Sequence, residues 1–223
     1  AEKIPLAMYI LLDKSGSMVN TGIPKWQQAA TAINAFVSDT NLIAVKVALQ
    51  VWSGQGPCDG SVYDTPAIPM GLIPQIAPQV ASWLATISPN GNTPTEGALL
   101  CLKAYTTQYA SQNPGEKTIG LLVTDGLPTT CNLDPNYLVG IASAAFSGTP
   151  SILIYTMGMD GADFNLLDTI AQAGGTTKSF NANSTQAFLD ALKTISGSAL
   201  SCEFVIPTPE KGTLDIDKVN VVF

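Results

Sequence analysis

Apolar runs of strand length alternate along this chain with segments whose apolar residues recur at helical spacing. Nearly continuous apolar runs are typical of parallel strands buried on both faces, and they occupy residues 4–12, 45–52, 118–124 and 151–157. Two shorter strands are predicted at 67–70, where prolines confine the strand to a sheet edge, and at 177–180. Helical periodicity predicts six helices, at about 25–38, 77–87, 94–112, 135–146, 163–173 and 185–200.

This alternation predicts an α/β fold. Strands that alternate with helices form a mostly parallel sheet with helices on both faces. We therefore expect a doubly wound, Rossmann-like, six-stranded sheet whose antiparallel edge strand lies near residues 67–70. The pattern breaks after residue 201, so we divide the chain into a domain at 1–201 and a C-terminal β-hairpin extension at 202–223. We expect the extension to pair with another part of the chain or with a further domain.

One helix has a well-marked start. Thr93 suits the N-cap, Pro94 suits the first helical position, and Glu96 would complete a capping box with Thr93. The same threonine could therefore serve only to begin its helix.

Charge and composition narrow the classes of function. The net charge of −7 disfavours nucleic acid and anionic membranes as partners. No apolar run reaches the roughly 20 residues that cross a bilayer, so we expect no membrane insertion by this chain. The chain has no histidine, so it cannot build a Ser-His-Asp or Cys-His catalytic set.

The four cysteines favour two disulfides and an oxidising compartment, although four buried free thiols are the alternative. Cys58 and Cys131 both follow strands of the predicted sheet, so we predict that they pair. Cys101 lies two turns into its helix, and Cys202 follows the last helix near the opposite pole, which leaves Cys101–Cys202 as the second pair. The expected location is extracellular, at the cell surface, or in a bacterial periplasm.

Oxygen-bearing side chains gather in three loops that follow predicted strands or begin a helix. They are Asp13, Ser15 and Ser17 in the first loop, Thr93 in the second, and Asp125 in the third. Ligands of open parallel sheets bind at the carboxyl ends of the strands, and Mg²⁺ prefers oxygen ligands. Taken singly, each residue could equally cap a helix or brace a turn. Together they favour a site for a hard divalent cation.

The order Asp13-x-Ser15-x-Ser17, Thr93 and then Asp125 in Thr-Asp-Gly resembles the metal-ion-dependent adhesion site (MIDAS) of the von Willebrand factor A family. The resemblance covers about residues 4–200 and includes all five site positions. It implies a bound Mg²⁺, with Mn²⁺ or Ca²⁺ as alternatives. It also implies that the serines bind the metal directly, that the aspartates often act through water, and that the threonine joins in some states.

The function implied by this resemblance is metal-dependent adhesion. A protein partner with an exposed Asp or Glu would complete the metal shell, and candidate partner contacts are Asn20, Asn92, Leu127 and Pro128. The alternative is a structural or assembly module of a larger secreted or surface protein. A hydrolase is disfavoured because Ser15 stands where a DxD motif that begins at Asp13 would have its second aspartate, and because GxSxG and GxxxxGK motifs are absent. We therefore expect that the protein is not an enzyme.

Overall fold

The strands and helices follow the predicted alternation. The computed structural model describes residues 2–19, 24–54, 58–200 and 204–205. Its strands are β1 (Glu2–Lys3), β2 (Leu6–Asp13), β3 (Val45–Trp52), β4 (Ile68–Leu72), β5 (Lys117–Thr124), β6 (Leu153–Gly158), β7 (Phe180–Asn181) and β8 (Phe204–Val205). Its α-helices are α1 (Lys25–Val37), α2 (Ala77–Leu84), α3 (Thr95–Gln112), α4 (Pro135–Phe146), α5 (Phe164–Ala173) and α6 (Thr185–Leu200).

Within the described ranges, six strands form one sheet in the order β4-β3-β2-β5-β6-β7. Strand β2 pairs in parallel with both β3 and β5, and the pairs β5–β6 and β6–β7 are also parallel. Strand β4 pairs antiparallel with β3 at the edge of the sheet. The predicted fold class, including the antiparallel edge strand, is confirmed.

Strand β2 explains why the sheet is covered on both faces. All eight of its residues are buried, and successive side chains of a strand point to opposite faces. Leu6, Met8, Ile10 and Leu12 pack into one apolar cluster with residues of α1, α2 and α6. Tyr9 and Leu11 pack into a second cluster with residues of α3, α4 and α5. The near-continuous apolar run is therefore the sequence signature of a central strand between two helical layers.

The start of α3 differs from the prediction. The helix begins at Thr95, and Pro94 occupies the N-cap position. Glu96 does not reach back to Thr93, because its carboxylate accepts a hydrogen bond from the Asn132 backbone N–H at 2.7 Å. The predicted capping box is wrong, and the Glu96 carboxylate instead links α3 to the loop that precedes α4.

The two ends of the described chain meet in a short second sheet. Glu2 pairs with Val205 and Lys3 with Phe204, in antiparallel register. The rest of the predicted C-terminal hairpin, residues 202–203 and 206–223, lies outside the described residues. Among the described residues, no helix combines the length and the apolar character that crossing a bilayer requires.

One predicted disulfide forms and the other does not. Cys58 and Cys131 are bonded, with 5.6 Å between their Cα atoms. Cys101 is a buried free thiol, so its predicted bridge to Cys202 is wrong; Cys202 itself lies outside the described residues. The physical reason is the sheet: Cys101 packs in the layer with Tyr9, whereas α6, which leads toward Cys202, packs against the opposite face.

The environment of Cys101 predicts an unreactive thiol. Burial raises its pKa to about 12, and its Sγ lies 3.8 Å from the Tyr9 hydroxyl. Because thiolate is the nucleophile, we expect iodoacetamide to leave Cys101 unmodified in the native protein. After denaturation without reductant, peptide mass spectrometry should find Cys101 alkylated. A Cys101 peptide linked to Cys202 would contradict this prediction.

Candidate metal centre

The candidate site lies where two neighbouring parallel strands end. Asp13 is the last residue of β2, and Asp125 immediately follows β5. The two strands run in register, with Leu12 opposite Val123, so both aspartates leave the sheet at the same edge. From β2 the chain passes to β3 on one side and reaches β5 on the other, which is the topological switch point at which open α/β sheets bind ligands.

Backbone hydrogen bonds join the loop after β2 to the loop that precedes α3. The Gly16 N–H donates to the Gly91 carbonyl at 3.1 Å, and the Asn90 N–H donates to the Lys14 carbonyl at 2.7 Å. These bonds hold the Ser15–Ser17 turn beside Thr93.

The side chains of this turn form a chain of polar contacts with both aspartates. The Ser15 backbone N–H donates to Asp13 Oδ1 at 2.7 Å. The Ser15 and Ser17 hydroxyls lie 3.0 Å apart, and the Ser17 hydroxyl donates to Asp125 Oδ1 at 2.7 Å. The structure therefore brings four of the five predicted ligand residues into direct contact.

The hydroxyl of Thr93, the fifth predicted ligand residue, lies near that of Ser17. A Cβ added to Gly126 would stand 3.7 Å from the Ser17 hydroxyl oxygen and 3.8 Å from that of Thr93. The two hydroxyls thus face a common space that a side chain at position 126 would enter. The Thr93 backbone is held in place by Thr129, whose hydroxyl accepts from the Thr93 N–H at 2.8 Å. Thr93 is buried and lies outside α3, so its place is not that of a helix cap.

The charge on Asp13 is poorly compensated. Its carboxylate is fully buried, and its hydrogen-bond donors are neutral: the Ser15 N–H and the Thr124 hydroxyl, the latter at 2.7 Å from Oδ2. Burial raises the pKa of Asp13 to about 6, and the neighbouring Asp125 charge adds to the increase. A buried ionised carboxylate requires either a countercharge or protonation.

Asp125 has a different environment. Its Oδ2 lies 2.5 Å from the ammonium group of Lys25, the first residue of α1. The same ammonium donates to the Asp160 carbonyl oxygen at 2.6 Å. One of the two buried aspartates therefore has a cationic partner from the protein, while the hydrogen-bond donors of the other are neutral.

The donor set fits a hard divalent cation. It consists of two carboxylates and three hydroxyls, all oxygen donors of the kind that Mg²⁺, Mn²⁺ and Ca²⁺ accept. Such an ion would be held by Asp13, Ser15, Ser17, Thr93 and Asp125. A cation there would also supply the positive charge that Asp13 lacks.

The loops around the site carry exposed apolar side chains. Leu127 is 57% exposed directly beside Gly126, and Val19 and Leu133 are also exposed. Of the predicted partner contacts, Asn92 and Pro128 are half-buried in the same loops, and Asn20 lies outside the described residues.

The Cys58–Cys131 bond fastens the loop after β3 to the loop that carries Leu127 and Leu133. Gly60, whose φ of +82° favours glycine, lets the loop after β3 lie directly against α3 at Gly97 and Cys101.

Sequence reasoning missed three residues that position the predicted ligand residues. They are Thr124, which donates to Asp13, Thr129, which holds the Thr93 backbone, and Lys25, which pairs with Asp125. Thr124 could have been found, because a buried threonine next to a ligand aspartate offers a donor within reach. No sequence signal links Lys25 to Asp125, because the two are separated by 100 residues.

Comparison with known proteins agrees with the fold. The family model described as the von Willebrand factor type A domain matches residues 7–195. No curated protein sequence matches the chain significantly.

Solved structures with the same fold include proteins from a Lactobacillus, a mussel and a Plasmodium. The pilus adhesin SpaC of Lactobacillus rhamnosus GG is 15% identical with a TM-score of 0.65, and the match covers 88% of this chain and 30% of that one. Proximal thread matrix protein 1 of the mussel byssus, with a zinc-occupied MIDAS motif, is 13% identical with a TM-score of 0.58, over 89% and 48% of the two chains. Manganese-loaded TRAP of Plasmodium vivax is 19% identical with a TM-score of 0.52, over 76% and 63%. The chain thus spans less than two thirds of each of these proteins, and at such identities the likeness concerns the fold.

The Thr124–Asp13 hydrogen bond predicts a stability effect that a matched substitution can isolate. Thr124→Val removes the hydroxyl donor and leaves Asp13 Oδ2 buried without it, which should lower the free energy of unfolding by about 1–3 kcal/mol. Urea unfolding in chelator measures this change without any cation.

The control lies on the same strand. Within the described part of the chain, the Thr118 hydroxyl is buried and has no hydrogen-bond partner. Thr118→Val should therefore leave stability unchanged or raise it. Equal losses in the two variants would show that the Thr124 hydroxyl has no special role at Asp13.

Proposed function

The chain belongs to the von Willebrand factor type A domain family, and we propose that it is a binding module that holds one divalent cation on Asp13, Ser15, Ser17, Thr93 and Asp125. An acidic group of a protein partner binds through that cation. These five residues form a complete MIDAS in this proposal. The alternative is an assembly module of a larger exported protein, in which the same domain has no adhesive ligand.

The observation that carries the proposal is the state of Asp13. This carboxylate is fully buried, its hydrogen-bond donors are neutral, and burial raises its pKa to about 6. Four other side chains with oxygen donors meet beside it. A site built only to brace two loops would not need a buried ionisable group that is short of countercharge, because an asparagine would make similar hydrogen bonds.

Magnesium is the proposed cation, with Mn²⁺ and Ca²⁺ as alternatives. Mg²⁺ selects oxygen ligands in octahedral geometry, and the donor set contains neither nitrogen nor sulfur ligands, which zinc usually takes. The similar mussel protein holds zinc at its MIDAS and the similar TRAP protein holds manganese. Both support a divalent cation at this position without selecting among the metals.

The ligand set leaves room for a partner carboxylate. Three of the five proposed ligands are neutral hydroxyls, and part of the Asp125 charge is offset by Lys25. The set therefore does not fully neutralise a divalent cation and leaves it electron-poor toward an incoming Asp or Glu side chain. Leu127 and Leu133 are exposed in the segment that follows Asp125. A partner whose acidic residue is flanked by apolar side chains suits this surface, with Asn20, Asn92, Leu127 and Pro128 as the proposed contacts.

Binding is proposed in preference to catalysis. The chain contains no histidine, so the usual general base is missing. The two carboxylates of the site are assigned in this proposal to holding the cation. An exported or cell-surface location is proposed from the Cys58–Cys131 disulfide. Similarity to a pilus adhesin and a byssus protein supports this location.

Calorimetric titration of Mg²⁺ and Mn²⁺ into chelator-treated protein tests the cation site. The wild-type protein should bind one cation per chain, and Asp13→Asn should give no measurable binding because a charged ligand is lost. The cation-free variant should unfold at or above the wild-type temperature, because the substitution removes a buried charge. This second readout separates loss of the site from loss of the fold.

Asp134→Asn is the matched control. It removes one negative charge from the nearby loop, and asparagine is as good an N-cap for α4 as aspartate. It should bind cations like the wild type. Equal heats for the wild type and Asp13→Asn would rule out the proposed site.

Water-proton relaxation of the Mn²⁺-loaded protein tests the acidic partner group. Water bound to Mn²⁺ shortens proton relaxation times, so a carboxylate that replaces this water should lower the relaxation enhancement. A short blocked peptide with one Glu between leucines should do so, whereas the same peptide with Gln should not. An equal response to both peptides would contradict recognition through a carboxylate.

A further inference from the structure

Lys25 is a charged residue that contacts the candidate site without belonging to the proposed ligand set. It is the first residue of α1, and its side chain is only 15% exposed. Its ammonium group lies 2.5 Å from Asp125 Oδ2 and donates to the Asp160 carbonyl at 2.6 Å. One side chain thereby joins the start of α1 to the loops that follow β5 and β6.

The position of Lys25 is unfavourable for its own helix. The N-terminus of a helix carries partial positive charge and favours acidic side chains, yet the first turn of α1 contains lysine and no acidic residue. The favourable charge interaction of the Lys25 ammonium is therefore a tertiary one with Asp125, and not one with its own helix. Gly161 permits it, because at a φ of +96° the β6–α5 loop passes so close that a Cβ would stand 2.8 Å from the Asp125 carbonyl oxygen and 3.6 Å from the Lys25 ammonium.

The two oxygens of Asp125 face different neighbours. Oδ1 accepts from the Ser17 hydroxyl, on the side of the other proposed ligands, and Oδ2 faces Lys25. A cation bound by Asp125 Oδ1 together with Ser17 would leave the contact between Oδ2 and Lys25 in place. Lys25 would then act on the bound ion in two ways, because it orients Asp125 and because its positive charge offsets part of the carboxylate charge.

We propose that Lys25 is a built-in counter-ion of the metal site: it stabilises the cation-free protein by neutralising Asp125, and it lowers the affinity of the site for divalent cations. This inference rests on the proposed function. It accounts for the different environments of the two aspartates, since Asp125 has a cationic partner within the protein while the hydrogen-bond donors to Asp13 are neutral. The cation-free state is then not left with two uncompensated buried carboxylates, so less free energy is gained when the cation binds.

The test compares Lys25→Met with the wild type by calorimetric titration of Mg²⁺ and by thermal unfolding in chelator. Lys25→Met keeps most of the side-chain volume and removes the charge. Its affinity for Mg²⁺ should rise by on the order of tenfold, the lower end of effects that neighbouring groups have on bound metals. Its cation-free form should unfold at a lower temperature, because Asp125 loses its partner.

Three further variants isolate the cause. Lys25→Arg keeps the charge and should bind Mg²⁺ like the wild type. Lys14→Met removes a positive charge from the loop between Asp13 and Ser15, and should have a much smaller effect on both readouts. The double variant Lys25→Met with Asp125→Asn should recover the cation-free stability that Lys25→Met loses, since neither charge remains.

The outcomes separate this inference from the proposed function. If the wild-type protein binds no cation, the proposed function fails, and the unfolding of Lys25→Met and the double variant decides whether Lys25 neutralises Asp125. If the wild type binds but Lys25→Met binds equally or more weakly, the counter-ion proposal is overturned while the metal site stands. If the cation-free stability of Lys25→Met equals that of the wild type, the proposal is also overturned.

Discussion

Two carboxylates removed from water at one edge of the sheet are the constraint on which the organisation of this site depends. A buried charge is costly unless a countercharge or strong donors accompany it. Asp13 and Asp125 are both buried, at the ends of neighbouring strands. Much of the surrounding structure supplies what they require: the Ser15 N–H, the Ser17 and Thr124 hydroxyls, and the Lys25 ammonium. The residual deficit at Asp13 is what a divalent cation would remove.

The sheet can carry such a site because its centre is rigid and apolar. Every residue of β2 is buried between two layers of helices, so the strand ends at a fixed point in space. The polar residues begin only where the strand stops, and the loops there are tied to one another through Gly16, Gly91, Asn90 and Lys14. Preorganised oxygen donors lose little entropy on binding a ligand, which would suit the proposed binding of a cation.

The loops around the proposed ligands connect the buried aspartates to side chains that are exposed to solvent. The Cys58–Cys131 bond and the Glu96–Asn132 hydrogen bond hold the segment that precedes α4 against α3. That segment carries exposed Leu127 and Leu133. A partner that reaches the site therefore meets apolar side chains on anchored loops, where less conformational entropy is lost on contact than on free loops.

The amino-acid sequence by itself determined the alternation of strands and helices and therefore the fold class, because buried parallel strands and amphipathic helices have distinct periods. It also indicated the proposed ligand residues, since Asp13, Ser15 and Ser17 are local in the chain and parallel strands end on the same side of the sheet. Only the tertiary structure decided contacts between distant segments, such as Lys25 with Asp125 and Thr124 with Asp13. The tertiary structure also decided that Cys101 stays a free thiol, because the sheet separates it from α6. It further decided that the Glu96 carboxylate accepts a hydrogen bond from Asn132 and does not cap α3 with Thr93. These contacts depend on which side chains the packing of the whole chain brings within bonding distance. A local sequence pattern does not contain that information.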